Sequence, residues 1–485
     1  MPKLSPARAN VPLLKGLTLL SRGKVRDTYE LPNGNRLQVA TNGISVKDII
    51  LNTLVPEKGA ILNALNHFWL KRFEDFGIKT HFVACGPEIF HYGVPECYRD
   101  DLELQSQAMV VRSCQMAPVE FVARHLITGG GFKEYKKTGR VCGHVLSPGL
   151  QDGDALPFIL DTPTTKADEG HDESLPASEV RKHYPEQTYL LLKAFLIAFN
   201  YAVTRGIILA DTKLEFAEDG TLCDEAITPD SSRFVDFLGW KASRGVEGKR
   251  KAPTPLDKEL ARIWATHAGM DALDPKNPDD VAKAHALMVP DQLINQLTQT
   301  YRYIFWRLTG DTSERYRREK MSIRIHDKTK KIVVVCGSES DLPEVKETIG
   351  RIHSSVARIS VHVMSCHRNP AELQNFAKEG CGGADVVVGI GSKALALPGI
   401  LDSWLRFYGK DIPVIGVAIG QPGSKSLQAA QLSIEELPNP VITNEIEGCC
   451  YKSSDQALSR IIWGELPPPK PRVEKPVQMN VFKNF

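Results

Sequence analysis

Four stretches in the last third of the chain are almost unbroken apolar runs: "KIVVVCG" (331–337), "VHVMSCH" (361–367), "ADVVVGIG" (384–391) and "IPVIGVAIG" (412–420). A strand with one wet face alternates apolar and polar residues, so unbroken runs require burial on both faces. Helical segments fill the intervals. The pattern predicts an α/β domain over residues 331–465, a three-layer, flavodoxin-like or Rossmann-like parallel sheet.

The first part of the chain has a different grammar. "RLQVAT" (36–41), "KTHFVA" (79–84) and "SQAMVVRS" (106–113) read as strands. "KGAILNALNHFWLKRFEDFG" (58–77), 188–204 and 290–310 carry helical spacing. "GIILADTKLEFA" (206–217) and "LCDEAITPD" (222–230) read as two strands joined at "EDGT". Antiparallel strands mixed with helices predict an α+β domain over residues 1–310. The charge-dense stretch 311–330 is expected to be a linker, and the proline-rich tail 466–485 an extended strap or a loose segment. A chain of 485 residues is too long for one ordinary core, which agrees with this division.

Composition narrows the partners. With 60 Lys+Arg against 58 Asp+Glu, the chain lacks the global charge that holds nucleic acid or a membrane surface. No apolar run approaches the ~20 residues of a bilayer span, and the start shows no secretory leader. Ten scattered cysteines without a CxxC pair suit reduced thiols in a cytoplasmic protein and offer no zinc site.

On a strand over 206–217, Asp211, Lys213 and Glu215 share one face while Leu214 and Phe216 take the other. Asp224 and Glu225 on the next strand would lie beside them. Two strands of carboxylates with one lysine suit a Mg²⁺–nucleotide site; cross-strand salt bridges on an exposed hairpin are the ordinary alternative. The turn Asp230-Ser231-Ser232-Arg233 adds small hydroxyls and a guanidinium fork, equipment for a phosphate or carboxylate. "TPTTKADEGHDE" (162–173), with Lys166 among hydroxyls, reads equally as a loop over a ligand or a solvated loop.

"GKVRD" (23–27), "PEKGAIL", "TPTTKADEGHDE", "ILADTKLEF" and "DEAITPDSSRF" occur in the order, and at about the spacing, of phosphoribosylaminoimidazole-succinocarboxamide (SAICAR) synthetase. Residues 12–310 resemble this family. The resemblance implies ATP-dependent ligation of aspartate to carboxyaminoimidazole ribonucleotide (CAIR), through a phosphorylated carboxylate that the aspartate amine attacks. It implies that Gly23, Lys24, Arg26 and Asp27 form a hairpin over the ATP phosphates. Glu215, Asp224 and Glu225 would serve ATP, with Glu215 and Asp224 on Mg²⁺, and Lys213 would be the catalytic cation at the transferred phosphoryl. Arg124, Gly129, Gly130, Asp230, Ser231 and Arg233 would hold the ribonucleotide. Two departures stand out: Gly130 replaces a usual serine, and "TNGISVKD" replaces "TDRISAFD", which removes an acidic–basic pair at Asn42 and Gly43.

In the last third, Ser338, Ser340 and Asp341 follow the first apolar strand, His367 and Arg368 the second, Ser392 and Lys393 the third. All lie at carboxyl ends of parallel strands, where such sheets bind ligands. Helix capping is the ordinary role of Ser338 and Asp341 taken alone. "GSESD…SCHRNP…GSKALALPG" resembles aminoimidazole ribonucleotide (AIR) carboxylase. This implies a ribonucleotide held by the serines, Asp341, Arg368 and the third loop, with His367 catalytic at the reacting carbon. Ala396 stands where the mutase branch has a second histidine, and "GSKAL" is nearer the branch that takes CO₂ directly. The order synthetase–carboxylase resembles the bifunctional enzyme of animal purine synthesis. It implies AIR, CAIR, aspartate, ATP, Mg²⁺ and CO₂ or bicarbonate as small-molecule partners, no organic prosthetic group, and a homo-oligomer, an octamer in the carboxylase family. A carboxylase-like domain kept only as an oligomer core is the competing reading.

Overall fold

The computed structural model describes residues 4–166, 173–244, 255–325, 330–350, 352, 357–436, 441–444, 449–463 and 466. Residues 167–172 of the Lys166 loop and 467–485 of the tail lie outside them. The chain divides into two compact units, Met1–Asp327 and Lys328–Phe485.

Among the described residues the first unit holds two large antiparallel sheets, with two-stranded ribbons at Gly43–Val46/Ile49–Leu54 and Arg140–Val141/His144–Val145. One runs Thr18–Arg22, Arg26–Glu30, Arg36–Ala40, Ala108–Val111, Phe82–Cys85. Its first turn is tight: the Gly23 amide donates to the Arg26 carbonyl at 2.7 Å, and a Cβ on Gly23 would stand 2.9 Å from that oxygen. The other sheet centres on Ile207–Phe216, flanked by Val119–Ile127 and Ser232–Asp236, with Asp154–Asp161 beyond. Helices Lys58–Asp75, Pro185–Val203 and Asp291–Thr309 cover these sheets. Their apolar faces (Trp69, Phe73, Phe195, Phe305) join Phe121, Leu214 and Phe216 in one core. Each such fully buried side chain contributes about 1.5–3 kcal/mol of transfer free energy. The α+β expectation holds.

Two expectations need correction. The strand expected over 222–230 is only Leu222–Cys223, because Asp224 and Ile227 take left-handed backbone at φ +53° and +51°. That turns the chain out of the ladder and swings Asp224 and Glu225 away from the strand path. The stretch 311–330 is not simply connecting chain either. Ser313–Lys320 is a helix capped by Thr312, and Tyr316, Met321 and Ile323 belong to the first unit's core. One apolar residue per turn, at Tyr316, is enough to dock a helix whose remaining faces are charged.

The second unit is a parallel four-stranded sheet in the order Ala357–Val363, Lys330–Cys336, Val386–Gly391, Val414–Ala418. Lys330–Cys336, Val386–Gly391 and Val414–Ala418 are buried almost throughout, as continuous apolar runs require. The run 361–367 departs from that expectation, because its strand ends at Val363 on the sheet edge and leaves Val361 and Val363 exposed. Helices, among them Leu342–Gly350, Pro370–Lys378 and Leu397–Phe407, alternate with strands. Chain order reverses between Lys330–Cys336 and Val386–Gly391, whose neighbours lead to opposite edges. Ligands of such sheets sit outside this switch point.

Candidate active sites

In the first unit, three charged residues line up across three strands. Asp211 on the central strand registers with Arg124 on one side and Arg233 on the other. Its carboxylate accepts from Arg233 Nη1 at 2.8 Å and pairs with Arg124. One carboxylate is thus shared by two guanidiniums. Asp211, with Glu259 3.4 Å from Arg233 Nε, raises the Arg233 pKa further. Over this row lies the N-terminus of helix Gly129–Thr138, which no side chain caps. Gly129 has φ +56°, and a Cβ there would stand 2.5 Å from Arg233 Nη2; one on Gly131 would stand 3.1 Å from Arg124 Nε. The glycines let the helix start approach both guanidiniums, which concentrates first-turn amides and two cations where an anion can sit. Gly130 has open space around it. Arg124, Gly129, Gly130 and Arg233 are therefore together.

Asp230 adjoins them but is not free. Lys58 Nζ donates to it at 2.7 Å, Tyr301 Oη also donates, and Lys258 Nζ stands 3.9 Å away. Burial opposes its ionisation, but Lys58 and Lys258 outweigh burial and hold the carboxyl well below its usual range. Ser231 Oγ accepts from the Thr228 amide at 3.2 Å, so it closes the turn.

A second charged cluster continues along the strand face. Lys213 pairs with Glu120, and its Nζ is 3.7 Å from Glu215. Glu215 accepts from Lys166 at 2.5 Å. Burial opposes the Lys213 charge, but Glu120 and Glu215 outweigh it and raise its pKa. Arg26 reaches in from the N-terminal hairpin, 3.1 Å from Asp224 and 3.2 Å from Glu225. Lys213 and Lys166 both act on Asp224 electrostatically, as they do on Glu215. The expected trio and the two following acids thus share one site, although Asp224 and Glu225 arrive by a turn.

The hairpin residues separate. Arg26 faces the acids, and Lys24 pairs with Asp48. Asp27, one residue on and so on the opposite face, is buried against Arg8, with Arg22 Nε at 3.6 Å. It stands apart from the ATP group in which sequence placed it. Asn42 Oδ1 accepts from the Gly59 amide at 2.9 Å, and a Cβ on Gly43 would stand 3.0 Å from Arg8 Cδ. Sequence reasoning assigned no role to Glu120, Lys258, Tyr301 or Asp48. Lys58 and Lys166 stood within quoted motifs without a partner. Lys58 and Asp230 are 172 residues apart, and no local pattern signals such a pair.

In the second unit, the three expected strand ends do converge. Ser392 Oγ donates to Asp341 Oδ1 at 2.8 Å across the switch point, and Ser340 Oγ donates to Ser338 Oγ at 3.0 Å. Ser338 also caps the short helix Glu339–Asp341, so its capping role and its place at the sheet edge coexist. Arg368 Nη2 donates to the Gly337 carbonyl at 2.9 Å, which ties the second strand's loop to the first's. Ser365 Oγ, unremarked in the sequence, accepts the His367 and Arg368 amides at 3.3 Å each and shapes that loop. His367 and Lys393 are exposed. His367 Nδ1 lies 3.4 Å from Cys366 Sγ. Ala396 precedes helix Leu397–Phe407 and offers no polar side chain.

The first unit thus presents a charged cleft on antiparallel strands, and the second a polar rim at the carboxyl ends of a parallel sheet. A SAICAR synthetase family model matches residues 19–275, more than half of the chain, so the chain belongs to the SAICAR synthetase family. An AIR carboxylase family model matches residues 331–456, and the protein is a fusion of the two domain types. The chain is 36% identical over 309 residues to the phosphoribosylaminoimidazole-succinocarboxamide synthase of Maridesulfovibrio salexigens, covering 61% of this chain and 95% of the relative. Its counterpart from Syntrophobacter fumaroxidans is 39% identical over 280 residues, covering 55% and 89%. Among solved structures, the Saccharomyces cerevisiae SAICAR synthase complexed with SAICAR matches with a TM-score of 0.52 at 31% identity, over 62% of this chain and 97% of that one.

Proposed function

We propose that the first unit ligates aspartate to CAIR at the expense of ATP and that the second makes CAIR from AIR and CO₂ or bicarbonate, two consecutive steps of purine synthesis in the cytoplasm. The observation that carries the first step is the Arg124–Asp211–Arg233 row under the Gly129 helix start, beside the Lys213–Glu215–Asp224–Arg26 cluster. The row suits a ribonucleotide phosphate, the cluster a polyphosphate and a reacting carboxylate. Lys24 and Arg26 bring cations to the ATP phosphates, Asp230 and Lys58 orient the ribonucleotide, and Lys213 neutralises charge at the transferred phosphoryl. Such a site works by positioning and needs no side-chain nucleophile.

Mg²⁺ fits this donor set. It takes one or two carboxylates with substrate phosphates and keeps several waters. Glu215 and Asp224, acted on by the same two lysines, are that pair, and the described residues hold no cluster of three or more metal-ligating side chains. The ion would supply charge neutralisation between the phosphates.

In the second unit, Ser338, Asp341, Ser392 and Arg368 would hold AIR while His367 handles the proton released when the ring C–H becomes a carboxylate. Ala396 and the loop Gly391–Leu395 favour the CO₂-using branch. The test uses the full chain. AIR with bicarbonate should give CAIR without ATP, and aspartate with ATP should then consume it. AIR that binds but never carboxylates would favour the oligomer-core reading of this unit.

A further inference from the structure

Asp27 belongs to the charged hairpin yet turns away from the cleft, and what holds it comes from the far N-terminus. Residues Pro6–Ala9 form one helical turn capped by Ser5. Ser5 Oγ donates to the Leu51 carbonyl at 2.9 Å, and the Ala7 amide donates to Asn52 Oδ1 at 2.9 Å. Arg22 Nη2 donates to the Arg8 and Val11 carbonyls at 3.0 and 2.6 Å. The segment is stitched to both neighbouring hairpins. Arg8 is wholly buried, and its Nη2 pairs with Asp27, 2% exposed. Arg8 Nε and Nη1 have no hydrogen-bond partner among the described residues. Its room exists because position 43 is glycine: a Cβ there would meet Arg8 Cδ at 3.0 Å and the Lys24 carbonyl at 3.4 Å.

The pair sits at the base of the loop that matters. Arg22 and Asp27 register with each other across the hairpin, and the Gly23–Arg26 hydrogen bond closes the turn between them. Lys24 and Arg26 are carried on that turn. Anchoring Asp27 therefore fixes where both cations point. A buried one-point ion pair is an expensive way to gain stability alone, whereas holding a loop's geometry is what such a pair does well.

We propose that Arg8 is a positioning residue for ATP: through Asp27, in the space left by Gly43, it sets the hairpin that presents Lys24 and Arg26 to the phosphates. This rests on the ATP reading of the hairpin given above. In the full-length enzyme, Arg8→Ala should raise KM for ATP about ten-fold or more, while kcat and KM for the ribonucleotide stay within about two-fold, the signature of lost uniform binding. Arg8→Lys should retain part of the affinity. Asp27→Asn, isosteric and less disruptive, should reproduce the ATP-selective rise if Arg8→Ala fails to fold. Unchanged KM for ATP in either folded variant, or an equal rise for both substrates, overturns the proposal. Lys24→Ala is the control. If it raises KM for ATP and the Arg8 and Asp27 variants do not, only the positioning role falls. If Lys24→Ala has no effect, the hairpin assignment falls with it.

Discussion

On the proposed function, the two units meet the same kind of ligand with opposite constructions. In the first, the cleft is a lattice of paired charges on antiparallel strands and the elements packed beside them: Asp211 between two arginines, Asp230 with Lys58 and Tyr301, Lys213 between two glutamates. In the second, the site is a rim of loop residues at the ends of parallel strands, with His367, Arg368 and Lys393 exposed. A parallel sheet delivers its strand ends to one edge, so helix starts and short loops suffice. An antiparallel sheet has no such edge, so a site on its face must carry its own charge balance. In the first unit the proposed function and stability therefore fall on the same residues; in the second they separate.

The largest effect that would sharpen this contrast is on Asp230. Asp230→Ala leaves Lys58 and Lys258 uncompensated in the interior and should destabilise the first unit by about 3–5 kcal/mol, read as an earlier first transition in denaturant unfolding. An unchanged transition would break the comparison. His367→Asn should do the reverse, lowering carboxylation by about 10²–10⁴-fold while shifting stability by less than about 0.5 kcal/mol and leaving AIR binding intact. Full carboxylation would reduce His367 to a loop residue.

Next in size, Glu215→Gln should cut ligase turnover by about 10² or more while the fold survives, since the amide fits the same space. Full activity at low Mg²⁺ would remove Glu215 from the metal site. Arg233→Lys keeps charge but loses the fork that spans Asp211 and Glu259. We expect KM for the ribonucleotide to rise about ten-fold, on the scale of one lost charged hydrogen bond, with that for ATP little changed. Equal rises would place Arg233 in the scaffold instead.

The smallest effect is one of pH. Burial, and then Arg262 and Lys58, bring Lys258 down to about 8 against the pull of Asp230 and Glu225. Below that pH the ammonium is charged and favours the anionic ribonucleotide. Above it the cation is lost, so Kd should rise with pH, by at most about ten-fold per unit. Calorimetry at pH 7 and 9 checks this, and Lys258→Gln should flatten the profile. The carboxylase site, with no buried lysine assigned to it, should not follow the same curve.

Much of this was legible in the chain because it is local. The period-two face of Asp211, Lys213 and Glu215, the polar residues after each apolar strand and the helix over 58–77 all follow from spacings of a few residues. The failures are equally specific. Tyr316 was one apolar residue among charges, too weak a period to announce a docked helix. Asp224 has a strand-like neighbourhood but a positive φ, which a non-glycine residue rarely takes unless its surroundings impose it.

By itself, the sequence determined the two fold classes, since apolar runs alternating with helical segments specify a parallel sheet and hairpin-joined strands mixed with helices an antiparallel one. It also marked the segments whose charged residues the fold brings together, among them 211–215 and 224–233. The tertiary structure alone decided which charges neutralise one another. Arg26 meets Asp224 across 198 residues of chain and Lys58 meets Asp230 across 172. Asp27 goes to Arg8 and away from the cleft. Ion-pair choice depends on proximity in a low-dielectric interior, and that proximity exists only once both sheets have closed around the core.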